Sequence, residues 1–136
     1  MDTIKTYFKY ALCIISNKRL LVLEEIDQEL YLLPGGQPEA GENIEQALSR
    51  ELKEELGIQL NTKSLRYLGA FEDVAAGKEE AKVHIELYMG DYLGDITPCS
   101  EVKRLVWFAK DDDQNRLAPV TRNKILPALL RQGLMS

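Results

Sequence analysis

Apolar positions along the chain follow two rhythms, one strand-like and one helical, and the rhythm changes several times between the ends. From Tyr7 to Ile15 the residues are aromatic, β-branched or otherwise apolar; the run breaks at Ser16-Asn17-Lys18 and resumes from Arg19 to Leu23, which predicts a hairpin. A short strand, Leu30 to Leu33, is expected to stop at Pro34-Gly35-Gly36. Between Asn43 and Leu56 the period lengthens: Ile44, Ala47, Leu48, Leu52 and Leu56 recur at three- and four-residue spacing and predict a helix. Asn43 with Gln46 resembles a capping box, and Gly57 suits the left-handed position just past the last turn. Ser64 to Phe71 reads as a strand and Glu72 to Lys82 as a polar loop. Val83, Ile85, Leu87 and Met89 then alternate with His84, Glu86, Tyr88 and Gly90, the pattern of a half-buried strand. A loop from Gly94 to Lys103 leads to a strand, Leu105 to Phe108, and Asn123 to Gln132 predicts a closing helix that starts late or kinks at Pro127.

Strands on both sides of a central helix, with a second helix at the end, predict a mixed α/β (α+β) fold: one mixed β-sheet sandwiched between α-helices. The 136 residues, 45% of them hydrophobic, have room for a single domain, residues 1–136, and no repeat or linker divides them. No apolar run approaches bilayer length, and Met1-Asp2-Thr3-Ile4-Lys5 lacks the basic-then-apolar layout of a secretion signal; a soluble cytoplasmic protein with no membrane partner is expected. Cys13 and Cys99 lack Cys or His neighbours at metal-ligand spacing and read as free thiols of a reducing compartment. A net charge of −5 opposes binding to a nucleic-acid polymer, whose backbone needs a basic surface. It leaves room for a small anionic substrate neutralised locally by metal ions. Monomer and homodimer are equally compatible with the sequence.

The central helix carries acids where packing alone would not put them. At roughly 100° per residue, Glu51 and Glu55 project within about 40° of each other, inside the arc of Ala47, Ile44 and Leu48. Glu54 lies at the margin of that arc, while Gln46, Ser49, Arg50 and Lys53 fall opposite, so three carboxylates converge with no Lys or Arg among them. Like charges four residues apart destabilise a helix, and partial burial adds a desolvation cost. A divalent cation compensates both, because Mg²⁺ and Mn²⁺ prefer clustered carboxylate oxygens. The plain alternative is a solvated acidic stripe on an exposed helix. Upstream, Pro34-Gly35-Gly36 permits a sharp turn and close approach of backbone to a ligand, and is equally an ordinary strand-ending turn.

Taken together, Gly36, Glu42, Arg50-Glu51-Leu52, Glu54-Glu55, Gly57 and Ile58 fill every fixed position of the Nudix box, and the chain resembles the Nudix hydrolase family over Gly36 to Ile58. The resemblance implies the Nudix fold, with the box as loop, helix and loop. It also implies that Glu51, Glu54 and Glu55 are metal-binding carboxylates for Mg²⁺ (or Mn²⁺), with the carbonyl of Gly35 as a further ligand. Glu42 and Arg50 resemble supporting residues that hold the loop and orient the ligands; capping or a surface salt bridge is the plain reading of each. Many relatives supply one more carboxylate ahead of a strand with Trp or Phe, and Glu101 before Trp107-Phe108 resembles it, with Glu79, Glu80 and Glu86 as rivals. Relatives often carry an aromatic, commonly Trp, ahead of the Pro-Gly-Gly turn; here it is Tyr31.

The activity implied is hydrolysis of a phosphate anhydride in a small nucleotide-like substrate, with Glu54 or Glu101 taking the proton of the attacking water. His84, alone on an alternating strand, reads as structural or solvent-facing rather than as a nucleophile. Asp111-Asp112-Asp113 lacks the later residues of a calcium loop, having Arg116 and Arg122 where Gly and Glu are needed, and reads as a charged turn. The ADP-ribose branch of the family carries a Pro about where Glu72 stands, so the chain is more similar to the branch that acts on nucleoside triphosphates, oxidised ones included. A nucleotide-sugar or dinucleoside polyphosphate hydrolase, and a non-catalytic nucleotide sensor, are the alternatives. The complete box argues against the sensor. Tyr31, Phe71 and Tyr88 are candidates to stack on a base, although a core role is favoured for each.

Overall fold

A computed structural model describes residues 4–136, apart from the side chain of Glu79. The residues Met1 to Thr3, used above in reading the N-terminus, and the Glu79 carboxylate, one of the rival ligands, therefore lie outside the described residues. Three small sheets form the middle of the molecule. The largest is mixed and runs β4 (Gly35–Gly36), β1 (Lys5–Leu12), β7 (Lys78–Met89), β6 (Arg66–Ala75). The second is β2 (Ile15–Ser16), β3 (Arg19–Glu25), β9 (Val102–Phe108), and the third pairs β5 (Gln59–Leu60) with β8 (Tyr92–Leu93).

β3 is buried on both faces, and its parity divides the core. Leu20 and Val22 face a cluster with Phe108, Leu87, Ile125 and Leu129 of the C-terminal helical segment. Leu21 and Leu23 face Leu48, Leu52 and Leu56 of the central helix α1 (Ile44–Leu56). Burying each of those leucines is worth roughly 1.5–3 kcal/mol. Sheet between helices is thus the observed architecture, as the sequence predicts. α1 begins as expected: Asn43 Oδ1 accepts from Gln46 N–H (2.8 Å), Gln46 Oε1 accepts from Asn43 N–H (2.9 Å), and Gly57 closes the helix at φ 67°.

Several elements differ from expectation. The stretch Tyr7 to Ile15 is not one arm of a hairpin: β1 pairs in parallel with β7, Lys5 opposite Ala81 through Leu12 opposite Tyr88, and the chain crosses to the second sheet at Cys13-Ile14. Only Ile15-Ser16 folds back on β3, through Asn17 and Lys18 at φ 52° and 64°, the left-handed pair that such a tight turn requires. The choice between sheets is made by distant partners, which a local apolar run does not reveal. Leu30 to Leu33 forms isolated bridges, Leu32 to Leu23 and Tyr31 to Leu117, rather than a strand. Ser64 belongs to a short 3-10 turn, Thr62–Ser64, and Glu72 to Lys82 is no loop. β6 and β7 continue through it as an antiparallel hairpin that turns at Ala76-Gly77, with Glu72, Lys78, Glu80 and Lys82 exposed.

The closing helical segment starts earlier than expected, at Pro119, and Pro127 is accommodated inside it by a widened turn. Thr121–Ile125 forms a π turn, with Leu126 N–H bonded to Thr121 O, and leads directly into α2 (Leu126–Arg131), whose second residue is Pro127; the wider turn accommodates a ring and a missing N–H that a regular helix would not. Among the described residues no helix is long and apolar enough to cross a membrane. Asp112 and Asp113 accept from Ala109 N–H (2.9 Å) and Asn115 N–H (3.1 Å), so the acidic run is a hydrogen-bonded turn.

Candidate active site

Helix geometry alone brings Glu51 and Glu55 to the edge of the buried stripe of α1, where both are half-buried, with Glu54 exposed beside them. β4 lies against this edge. Gly35 N–H donates to Glu55 Oε1 at 2.9 Å. Gly35 has φ 137°, and a Cβ there would lie 2.1 Å from the carbonyl oxygen of Tyr10; a Cβ at Gly36 would lie 2.7 Å from the Glu51 carboxylate. The glycine pair is therefore a strand edge rather than a turn. The close approach it permits is to β1 and to Glu51.

Arg50 ties the box together, and here the helical-wheel reading needs correction. Its guanidinium does not stay on the opposite face: Nε and Nη2 grip Glu42 at 2.7 and 3.0 Å, Nη2 also donates to Gln37 O at 3.1 Å, and Nη1 reaches Glu51 Oε1 at 2.7 Å and Glu54 Oε2 at 3.4 Å. A long side chain at the margin of the helix can swing round its flank, so a cation does stand among the carboxylates. The grip lowers the Glu42 carboxyl below its ordinary value, mainly through the Arg50 hydrogen bonds, and raises Arg50 in return.

The loop after β8 completes the wall. α1 ends with unsatisfied carbonyls, and Glu55 O and Leu56 O accept from Cys99 N–H and Thr97 N–H, both at 2.9 Å. That anchorage delivers Ser100 and Glu101 to the cleft, and Ile26 N–H bonds to Glu101 O at 2.9 Å. Glu25 also enters the cleft. Alternation along β3 continues past Leu21 and Leu23 and puts Glu25 on the side facing α1, while Glu24 on the other side bonds to Arg104 (3.0 Å); the extra residue of the bulge opposite them, Lys103, is in β9.

The result is an open cleft of about 390 Å³ lined by Glu25, Glu51, Glu54, Glu55 and Glu101 together with Lys9. Its other side is apolar, with Leu32, Leu33, Val83, Ile85, Ala118 and Val120. Burial pushes Glu55 up to about 8, opposed by the Gly35 hydrogen bond and reinforced by Glu51 and Glu25. Burial also raises Glu51, against the Arg50 hydrogen bond, and raises Glu25, where Lys9 opposes and Glu101 and Glu51 reinforce. Buried carboxyls short of counter-charge, all of them hard oxygen donors, fit a divalent cation. As the side chains stand, no three His, Cys, Asp or Glu among the described residues form a closed cation site.

Glu42, Arg50, Glu51, Glu54, Glu55, Gly35 and Glu101 are thus brought together at one place, Glu42 and Arg50 just behind the cleft and the others on its wall. Glu80 and Glu86 stand elsewhere: Glu86 bonds to Tyr67 Oη at 2.8 Å and to His84, whose ring stacks on Phe8. Tyr31 is buried against Arg116, Phe71 packs on the core and Tyr88 lies against Tyr67, so none of the three lines the cleft. Glu25 and Lys9 went unrecognised in the sequence; the one trace of Glu25 is an acidic pair ending an otherwise apolar strand.

The α/β sandwich that carries this cleft is a fold shared with solved structures. One is the MutT NUDIX hydrolase from Burkholderia pseudomallei, 25% identical, with a TM-score of 0.73 over 93% of this chain and 97% of that one. Another is the E. coli ORF135 protein, 26% identical, with a TM-score of 0.72 over 96% of this chain and 92% of that one. The NUDIX domain profile matches residues 6–129, and the chain belongs to that family. It is also 38% identical over 82 residues to a Bacillus subtilis (strain 168) protein named "Putative 8-oxo-dGTP diphosphatase YtkD". That match spans 60% of this chain and 48% of the relative, about half the relative's length.

Proposed function

We propose that the protein is a divalent-metal-dependent pyrophosphohydrolase of nucleoside triphosphates, oxidised ones included, which releases a nucleoside monophosphate and pyrophosphate. The observation that carries this reading is the half-buried pair Glu51 and Glu55, held against Gly36 and Gly35 in a cleft that five glutamates line with a single lysine, Lys9. Membership of the NUDIX family and the name of the Bacillus subtilis relative support it.

Glu51, Glu54 and Glu55, with the carbonyl of Gly35 and the carboxylate of Glu101 across the cleft, would hold Mg²⁺ or Mn²⁺. When bound, the ions supply neutralisation of the phosphate charge and a lowered pKa for water. Arg50 is a positioning residue: clamped by Glu42, it fixes the carboxylates of Glu51 and Glu54 before substrate arrives. Glu54 or Glu101 accepts the proton of the attacking water, since both are exposed at the cleft mouth and need little rearrangement to reach it. The apolar wall from Leu32 to Val120 suits the flat, weakly polar face of a base. Small nucleotides are the only partners proposed.

A Mg²⁺-dependent hydrolysis panel of canonical and oxidised nucleoside triphosphates, nucleotide sugars and dinucleoside polyphosphates tests the reading. Turnover fastest on triphosphates supports it. Turnover confined to the sugars or dinucleotides replaces it with that alternative, and tight binding without any turnover points to a sensor.

A further inference from the structure

Lys9 is the one Lys or Arg among the residues lining the acidic cleft, it is half-buried, and among the described residues it makes no ion pair within 4.0 Å. Glu25 and Glu55 are near enough for Lys9 to oppose the rise of both, but among the described residues neither bonds to it, so a half-buried ammonium keeps its donors free for a ligand. Strand parity puts Lys5, Tyr7, Lys9 and Ala11 on one face of β1, and Ala11 is paired with Gly35. Lys9 therefore stands about 7 Å down the strand from the glycine edge.

A second hollow, of about 220 Å³, opens on the far side of Lys9 and shares Lys9, Glu25, Leu32, Gln37 and Val83 with the first. Lys78, at the start of β7, projects over it: its Nζ donates to Tyr7 Oη at 3.1 Å and lies 4.8 Å from the ring centre, with Lys5 Nζ 4.6 Å from the same ring. Gln28 and Gln37 line the same hollow and bring amide donors. In a chain of net charge −5 this juxtaposition is local, and of the five cleft glutamates only Glu25 also lines the second hollow.

We infer that Lys9 and Lys78 form an anion subsite for the distal phosphates of the substrate, which makes a polyphosphate chain, rather than a diphosphate ending in a neutral sugar, the preferred substrate class. The inference deepens the functional reading above and rests on it for the placement of the scissile anhydride at the glutamates. A polyphosphate anchored at the carboxylate end by cations runs past Lys9 and ends at Lys78, each ammonium replacing water on a phosphate oxygen. The other role open to Lys9 is plain neutralisation of Glu25 and Glu55, which would act on every ligand alike.

The test is calorimetric binding of inorganic tripolyphosphate and of pyrophosphate in saturating Mg²⁺, to wild-type protein, Lys9→Gln, Lys78→Gln, the double variant and Lys110→Gln as an exposed charge control. Wild type should bind tripolyphosphate more tightly than pyrophosphate, and each cleft variant should lose roughly tenfold of that preference, as expected for one charge-assisted contact. Lys110→Gln should keep it. A double variant with the wild-type ratio overturns the subsite, even if both affinities fall together, because that is what neutralisation alone would do. Kinetics separate the two readings: KM for a nucleoside triphosphate should rise in Lys78→Gln, which lies outside the acidic cleft, while KM for a nucleoside diphosphate sugar stays level in that variant. Failure of the wild type to hydrolyse any anhydride would defeat the functional reading, and the binding ratio would still decide the subsite.

Discussion

Replacing Glu55 by Gln removes a carboxyl that the folded protein must keep protonated at neutral pH at a cost in stability, and the size of the gain follows from the site. Burial, with Glu51 and Glu25 nearby, pushes this carboxyl from its ordinary 4.5 up to about 8. Below pH 4.5 folded and unfolded chains both keep the proton, and nothing is lost. Between 4.5 and 8 the unfolded chain releases it while the folded chain does not, so stability falls as pH rises; above 8 the deficit is constant. At pH 7 the deficit is about 3 kcal/mol, at about 1.36 kcal/mol per pH unit. The amide introduced by Glu55→Gln carries no charge, and its carbonyl oxygen still accepts the Gly35 N–H. In metal-free buffer the variant should therefore melt roughly 10 °C above wild type at pH 7 and together with it near pH 4. Mg²⁺ should narrow the gap by stabilising wild type alone, and the variant should not turn over. Differential scanning calorimetry across that pH range, with EDTA or with Mg²⁺, reads all of this. Equal melting of the two proteins at pH 7 without metal, or equal stabilisation of both by Mg²⁺, refutes the reasoning; retained activity would refute the assignment as well.

Other perturbations probe the parts that hold this centre. Arg50→Lys keeps the charge but not the fork that spans Glu42, Glu51 and Glu54, and should lower kcat roughly 10–100-fold while leaving the fold, followed by circular dichroism, unchanged. Gly36→Ala sets a Cβ 2.7 Å from the Glu51 carboxylate and should weaken Mn²⁺ binding, measured by titration, roughly tenfold or more. Asn43→Ala removes the acceptor for Gln46 N–H and should cost about 1 kcal/mol in urea unfolding with KM unchanged. Chelation with EDTA should abolish turnover, and added Mg²⁺ or Mn²⁺ should restore it; activity that survives chelation would contradict the proposed chemistry.

What the sequence could reveal about this site divides by the range of the interactions involved. The caps of α1 and the convergence of Glu51 with Glu55 are set within a few residues by helix geometry, and they stand where the pattern puts them. Arg50 defeats the same argument because a wheel projects Cβ directions, whereas a guanidinium ends several bonds away and goes to Glu42, which only the folded loop brings near. Lys9 and Glu25 depend on still longer range. The side of the sheet on which Lys9 meets the cleft is set by parallel pairing with β7, more than seventy residues on, and Glu25, on the α1 face of β3, is held at the cleft by pairing with β9, as far away along the chain. The polar stretch Glu72 to Lys82 reads as a loop because one face of its hairpin meets solvent, so half of its alternation carries no apolar signal.

The glycine pair shows why local and distant information must agree for this centre to exist. Gly35 and Gly36 invite the reading that backbone approaches a ligand, but the atoms they let in are Tyr10 O, the Cα of Ala11 and the carboxylate of Glu51. One glycine seats the strand edge on β1, and the next lets a glutamate of α1 lie flat against it. The helix register fixes where Glu51 and Glu55 point, and the β1–β4 pairing fixes the surface they meet. Neither alone confines the two carboxyls. Together they force them out of water in one place, and that confinement, rather than the count of acidic residues, makes a divalent cation the favourable occupant.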